Sequence, residues 1–135
     1  MNLHWALVLP LALAATACAT PAGKLTDADF ETRAITFDEQ PAVIVANLYD
    51  SLRSCPQHGV VECAPQRPDG STQCDVYSQS GLPGVPRSDL VIGRFRVLPG
   101  ERAGSRLIIQ AANWTGRRSS RLANWERMAS TGACN

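Results

Sequence analysis

Leu90-Val91-Ile92-Gly93-Arg94-Phe95-Arg96-Val97-Leu98 is the stretch on which the fold turns. Val91, Phe95 and Val97 alternate with Arg94 and Arg96, the pattern of a β-strand with one buried and one polar face. Residues 106–111 repeat it, with Leu107, Ile109 and Ala111 inward and Arg106, Ile108 and Gln110 outward. The loop at 99–104 is short, so the two runs read as a hairpin. Upstream, residues 73–77 and 59–63 read as strands, separated by a loop that holds Asp69-Gly70. The loop at 78–88, with two Gly and two Pro, separates 73–77 from the central run. Near the front, Thr32-Arg-Ala-Ile-Thr-Phe37 is rich in β-branched and aromatic residues and predicts a first strand.

Two helices complete the pattern. Asp38-Glu39-Gln40-Pro41 is a helix start, with acids at the positive end of the dipole and proline near the first turn. Ile44, Leu48, Leu52 and Cys55 then recur at helical spacing, beside Val45 and Tyr49, and Pro56 ends the run. A last helix is expected over about 121–130, with Leu122, Trp125 and Met128 or Ala129 inward, Ser119 or Ser120 capping its start and Gly132 its end. The order β-α-β-β-β-β-α predicts an α+β fold, a two-layer sandwich in which an antiparallel sheet of about five strands carries both helices on one face. Its other face would be solvated and display Arg94, Arg96 and Arg106, with Asp75 near enough to pair across strands.

The N-terminus carries a different signal. Residues 3–17 are apolar apart from His4 and Thr16, too short for a bilayer span and suited to a cleaved leader. Leu13-Ala14-Ala15-Thr16-Ala17-Cys18 resembles a bacterial lipobox, which predicts cleavage after Ala17 and lipidation of Cys18. Ala15-Thr16-Ala17 also satisfies ordinary secretory cleavage, so a soluble periplasmic or secreted product is the alternative. The expected organisation is a signal peptide at 1–17, a lipid-anchored tether at 18–31 and one domain at 32–135. Ala19, rather than Asp, after the cysteine points by analogy to the outer membrane, facing the periplasm.

Cysteine parity supports this reading. The chain has five, Cys18, Cys55, Cys63, Cys74 and Cys134. Lipidating Cys18 leaves an even set, enough for two disulfides in an oxidising compartment. Three pairings are formally open. Cys63 and Cys74 fall on consecutive strands expected to lie antiparallel, which favours Cys63–Cys74. Cys55 ends the first helix on its buried stripe and Cys134 follows the last helix, which leaves Cys55–Cys134.

Charge is unevenly spread. Formal net charge is +1, yet residues 24–75 hold nine acids against four bases, and residues 94–127 hold eight arginines against Glu101 and Glu126. Near-neutrality and export exclude a dedicated nucleic-acid binder. The basic half suits an anionic envelope component or an acidic partner, unless folding pairs it with the acidic half. Arg94, Arg96, Arg106, Trp114, Arg117 and Arg118 are the candidate interaction residues, since Trp and Arg are common interface anchors.

Catalytic signals are weak. His58 is the only histidine after the leader and has no nucleophile elbow to serve. The cysteine spacings fit neither a zinc knuckle nor a redox pair. Asp27, Asp29 and Glu31 are spaced like calcium ligands but lack the Gly and distal Glu of that loop. The sequence implies no metal, no cofactor and no catalytic residue.

A first helix ending in Cys55, several strands, and the closing pattern of Trp125, Gly132 and Cys134 resemble a loose group of uncharacterised small proteobacterial lipoproteins. The resemblance spans most of the chain after the leader and implies fold and location. The expected function is a non-enzymatic envelope lipoprotein, an interaction or structural module at the membrane that meets an envelope protein or anionic envelope component. The alternative is a periplasmic small-ligand-binding module or a hydrolase inhibitor.

Overall fold

The structure, a computed structural model, describes residues 22–134. The leader, Cys18 and the start of the tether lie outside the described residues. Five strands, β1 (Phe30–Phe37), β2 (Val60–Cys63), β3 (Thr72–Gln79), β4 (Arg87–Pro99) and β5 (Ser105–Ala112), form one antiparallel sheet in the order β1-β5-β4-β3-β2. Helices α1 (Pro41–Ser54) and α2 (Arg118–Thr131) pack on one face. This is the α+β sandwich expected, with the elements in the expected order.

The main core lies between the layers. Ile44, Leu48 and Leu52 of α1 meet Leu122, Trp125, Met128 and Ala129 of α2 over Val76, Phe95, Val97, Leu107 and Ile109 of the sheet. Trp125 is therefore core. Its ring lies so close to β4 that a Cβ added at Gly93 would come within 2.4 Å of two ring carbons. Only glycine leaves room for that approach.

β4 departs from strict alternation next to this glycine. Val76 pairs with Gly93, but Tyr77 pairs with Val91, so β4 carries an extra residue, Ile92, as a bulge. Ile92 joins the main core, while Val91 turns to the opposite face. The expectation that Val91 shares a face with Phe95 and Val97 is thus corrected: one inserted residue inverts everything on its far side.

Val91 belongs to a second, smaller cluster with Phe30 and Ala112, against which Ala22, Leu25 and Tyr77 pack. Two short 3-10 turns, Ala22–Lys24 and Asp27–Asp29, lay the N-terminal segment on the sheet there. Asn113 donates to the Ala28 carbonyl from its side chain and to the Asp29 carbonyl from its backbone, both at 2.8 Å. The segment expected to be tether is therefore part of the domain from Ala22 onward, because burying Leu25 over Phe30 closes an apolar patch.

One further boundary differs. α2 starts at Arg118 rather than near 121, and neither Ser119 nor Ser120 caps it; Arg117 takes the cap position without a side-chain bond. The Ser120 hydroxyl donates to the Arg117 carbonyl instead. Gly132 does end the helix, with φ of 67°. The cysteines pair Cys55–Cys134 and Cys63–Cys74, as expected. Cys63 and Cys74 face each other in the β2–β3 register, and the Cys55 and Cys134 Cα atoms lie 6.1 Å apart.

Candidate interaction face

The sheet face away from the helices is organised in cross-strand rows. One row crosses all five strands: Thr32, Gln110, Arg94, Asp75 and Glu62. The next holds Ala34, Ile108, Arg96 and Gln73, and a third holds Thr36, Arg106 and Leu98. Period-two alternation places these side chains together on the open face.

The rows differ in how far their charges are neutralised. In the first, Arg94 Nε lies 2.6 Å from Asp75 Oδ1, with side chains only 14% and 21% exposed. The Arg94 guanidinium also lies 5.4 Å from the Phe30 ring centroid. Glu62 is gripped by two nitrogens of Arg87, whose guanidinium sits 3.9 Å from the Tyr77 ring centroid. The bond to Glu62 raises the Arg87 pKa, while burial and then the Asp75 charge raise that of Tyr77. Gln110, 6% exposed, donates to Asp27 at 3.0 Å and Thr32 at 3.3 Å.

Arg96 and Arg106 differ from Arg94. Among the described residues neither enters an ion pair. Arg96 is half-buried and Arg106 exposed. Arg94, Arg96, Asp27, Thr32, Gln73, Ile108 and Gln110 line a cavity of about 200 Å³. Its lining is mixed, with the Asp27 carboxylate beside the two arginines, and its size suits a few waters rather than a large ligand.

The other candidates separate. Trp114 is 40% exposed, with its ring tilted 6.3 Å from that of Phe30, beside the second cluster. Arg118 donates to Asn113 and pairs with Glu31 at 3.6 Å on the helix side of β1. Arg117 joins neither group; it faces His58 and Arg121 at the start of α2. The six residues grouped from sequence therefore fall at four places, of which the open face holds Arg94, Arg96 and Arg106.

His58 sits in the turn Pro56–His58, in a cavity lined with Gln57, Arg117, Ser120, Arg121 and Asn124. No carboxylate lines that cavity. Among the described residues no group of three or more His, Cys, Asp or Glu side chains could hold a metal. No described helix is long and apolar enough to cross a membrane.

Sequence reading missed Arg121, Gln57 and Gln110. Arg117 and Arg121 are one helical turn apart, a signal hidden by starting the helix at 121.

No family model, curated protein or solved structure matches the chain.

Proposed function

We propose that the protein is a non-enzymatic envelope lipoprotein, anchored through Cys18, whose open sheet face is an interaction surface for an anionic envelope component. The observation that carries this reading is the pair Arg96 and Arg106, which share the open face and enter no ion pair among the described residues. Cations held on a fixed sheet and not closed into ion pairs attract an anionic surface. The anchor is supported by the lipobox and by cysteine use: the two disulfides engage Cys55, Cys134, Cys63 and Cys74, and the fifth cysteine is the one the lipobox marks. The non-enzymatic reading is supported by the acids. Asp75 and Glu62 are engaged by Arg94 and Arg87 on the open face, while His58 lies on the helix side.

Sedimentation with vesicles tests the surface. The Arg96→Gln/Arg106→Gln variant should bind anionic vesicles more weakly than wild type, and added salt should erase the difference. Arg94→Gln is left out, because it would leave Asp75 without its partner and perturb the fold. Equal sedimentation of wild type and double variant would remove the open face from the account.

A further inference from the structure

A second cationic site lies on the helix side, independent of the lipid anchor and of the open face. Arg117 immediately precedes α2 and Arg121 follows one turn later, so both side chains project from the same side of the helix start. The turn Pro56–His58, which follows Cys55, forms the opposite wall. Between them is a cavity of about 310 Å³ lined by Gln57, His58, Arg117, Ser120, Arg121 and Asn124.

Its charge is uncompensated. Neither Arg117 nor Arg121 enters an ion pair among the described residues. Arg121 Nη1 is shut off from solvent and makes no hydrogen bond. Arg121 is only partly buried and Arg117 is exposed, so the cavity offers an anion two guanidinium groups that have no ion-pair partner among the described residues. The Trp125 ring, 6.0 Å from the Arg121 guanidinium, holds the side chain in place without supplying an acceptor. Burial alone lowers the Arg121 pKa, as expected where no carboxylate stands near. The first turn of α2 carries no acid and no side-chain cap, so the helix dipole adds to the same field.

We infer that this cavity binds a phosphate-type oxyanion between Arg117, Arg121 and His58. Guanidinium forks match phosphate oxygens in pairs. Side chains able to donate line both walls, Gln57 and His58 on one and Arg117, Arg121 and Asn124 on the other, so an anion between them can be met from more than one side. The volume holds a phosphate group with a small substituent. The phosphate can belong to a soluble phosphomonoester or to a lipid headgroup, and the chemistry of recognition is the same.

Backbone amide spectra of the purified full-length protein, titrated with inorganic phosphate against chloride at equal ionic strength, test the site. Shifts confined to residues 57–58 and 117–124 are expected. Arg117→Gln should weaken binding by about tenfold, the loss of one charge-assisted contact. Arg121→Lys, which keeps the charge and loses the fork, should weaken it by a similar factor. Each variant's own spectrum reports whether it is folded; should Arg121→Lys unfold, Arg117→Gln carries the test. Phosphatidic acid vesicles that displace phosphate would identify a headgroup as the source, and displacement only by a soluble phosphomonoester would identify a free ligand. No shifts in the millimolar range, shifts centred on Arg96 and Arg106, or unchanged affinity in folded Arg117→Gln would each overturn the inference and leave the cavity to water.

Discussion

Gly93 shows how one residue sets a local structure. A methyl group there would press on the Trp125 ring and come within 2.6 Å of the Gln110 carbonyl oxygen. Neither neighbour is the loose end of a flexible chain, so Gly93→Ala should destabilise the fold by about 1–3 kcal/mol, read from the midpoint of urea unfolding. Wild-type stability in that variant would mean that Trp125 is packed less tightly than described. The bulge beside Gly93 was missed in reading the sequence. Strict alternation holds only over residues 94–97; the apolar run Leu90-Val91-Ile92 followed by Gly93 inside a strand is the signal that could have marked the bulge, and it was passed over. Trp125, by contrast, was legible as core from its spacing to Leu122 and Met128. Asp69 offers a residue-scale test of the turn before β3. Its Oδ1 accepts the Ser71 hydroxyl at 2.6 Å and the Ser71 N–H at 2.9 Å, and these bonds, the hydroxyl first, hold its pKa below the usual 3.8. Because the folded value is the lower one, this contribution to stability is present above the unfolded value and fades as pH falls through the folded one. Ser71→Ala should move the Asp69 titration up toward 3.8, as followed by carboxyl NMR.

The elements were legible where apolar periodicity continued over several turns or strand pairs. α1 begins at Pro41 and buries Ile44, Leu48 and Leu52, the stripe expected. The start of α2 was not legible, because the expected serine caps are absent and Arg117 gives no capping signal. That error concealed the Arg117–Arg121 pair and with it the helix-side cavity. The open-face rows were legible in part: alternation grouped Arg94, Arg96 and Arg106, but only the register shows that Arg94 is engaged by Asp75. The disulfides join elements at different distances along the chain, and their removal should reflect it. Cys55–Cys134 spans 79 residues and Cys63–Cys74 spans 11. In the chain-entropy model these correspond to about 4.5 and about 3 kcal/mol. Denaturant unfolding of the two double-alanine variants should therefore rank Cys55→Ala/Cys134→Ala as the less stable. The reverse order would show that the β2–β3 hairpin depends on its bridge more than the helix layer depends on the C-terminal one.

At the scale of the whole molecule, folding brings part of the acidic front half onto the basic back half. Arg94 meets Asp75 and Arg118 meets Glu31, while Arg87, between the two halves, meets Glu62, and Arg33 of the front half meets Glu126 of the back half at 2.8 Å. Among the described residues of the basic half, Arg96 and Arg106 on the open face, Arg117 and Arg121 at the start of α2, and Arg102 and Arg127 elsewhere enter no ion pair. That division depends on how two distant segments meet the sheet, information no local sequence window holds. The packing of Leu25 beside Phe30 was hidden for the same reason, since residues 19–29 read as small and polar. If the protein is tethered at Cys18, only the few residues before Ala22 separate lipid from domain, so the domain is held close to the bilayer. The anchor is the part of the proposed function that fixes where the domain works, and it is tested separately from the two cationic sites. The intact mass of protein extracted from membranes tests it most directly. The account predicts a chain that begins at Cys18, carries diacylglycerol on that cysteine, and gains mass on alkylation only after its two disulfides are reduced. A soluble product with an unmodified Cys18 thiol, or a membrane form that retains residues 1–17, would contradict it.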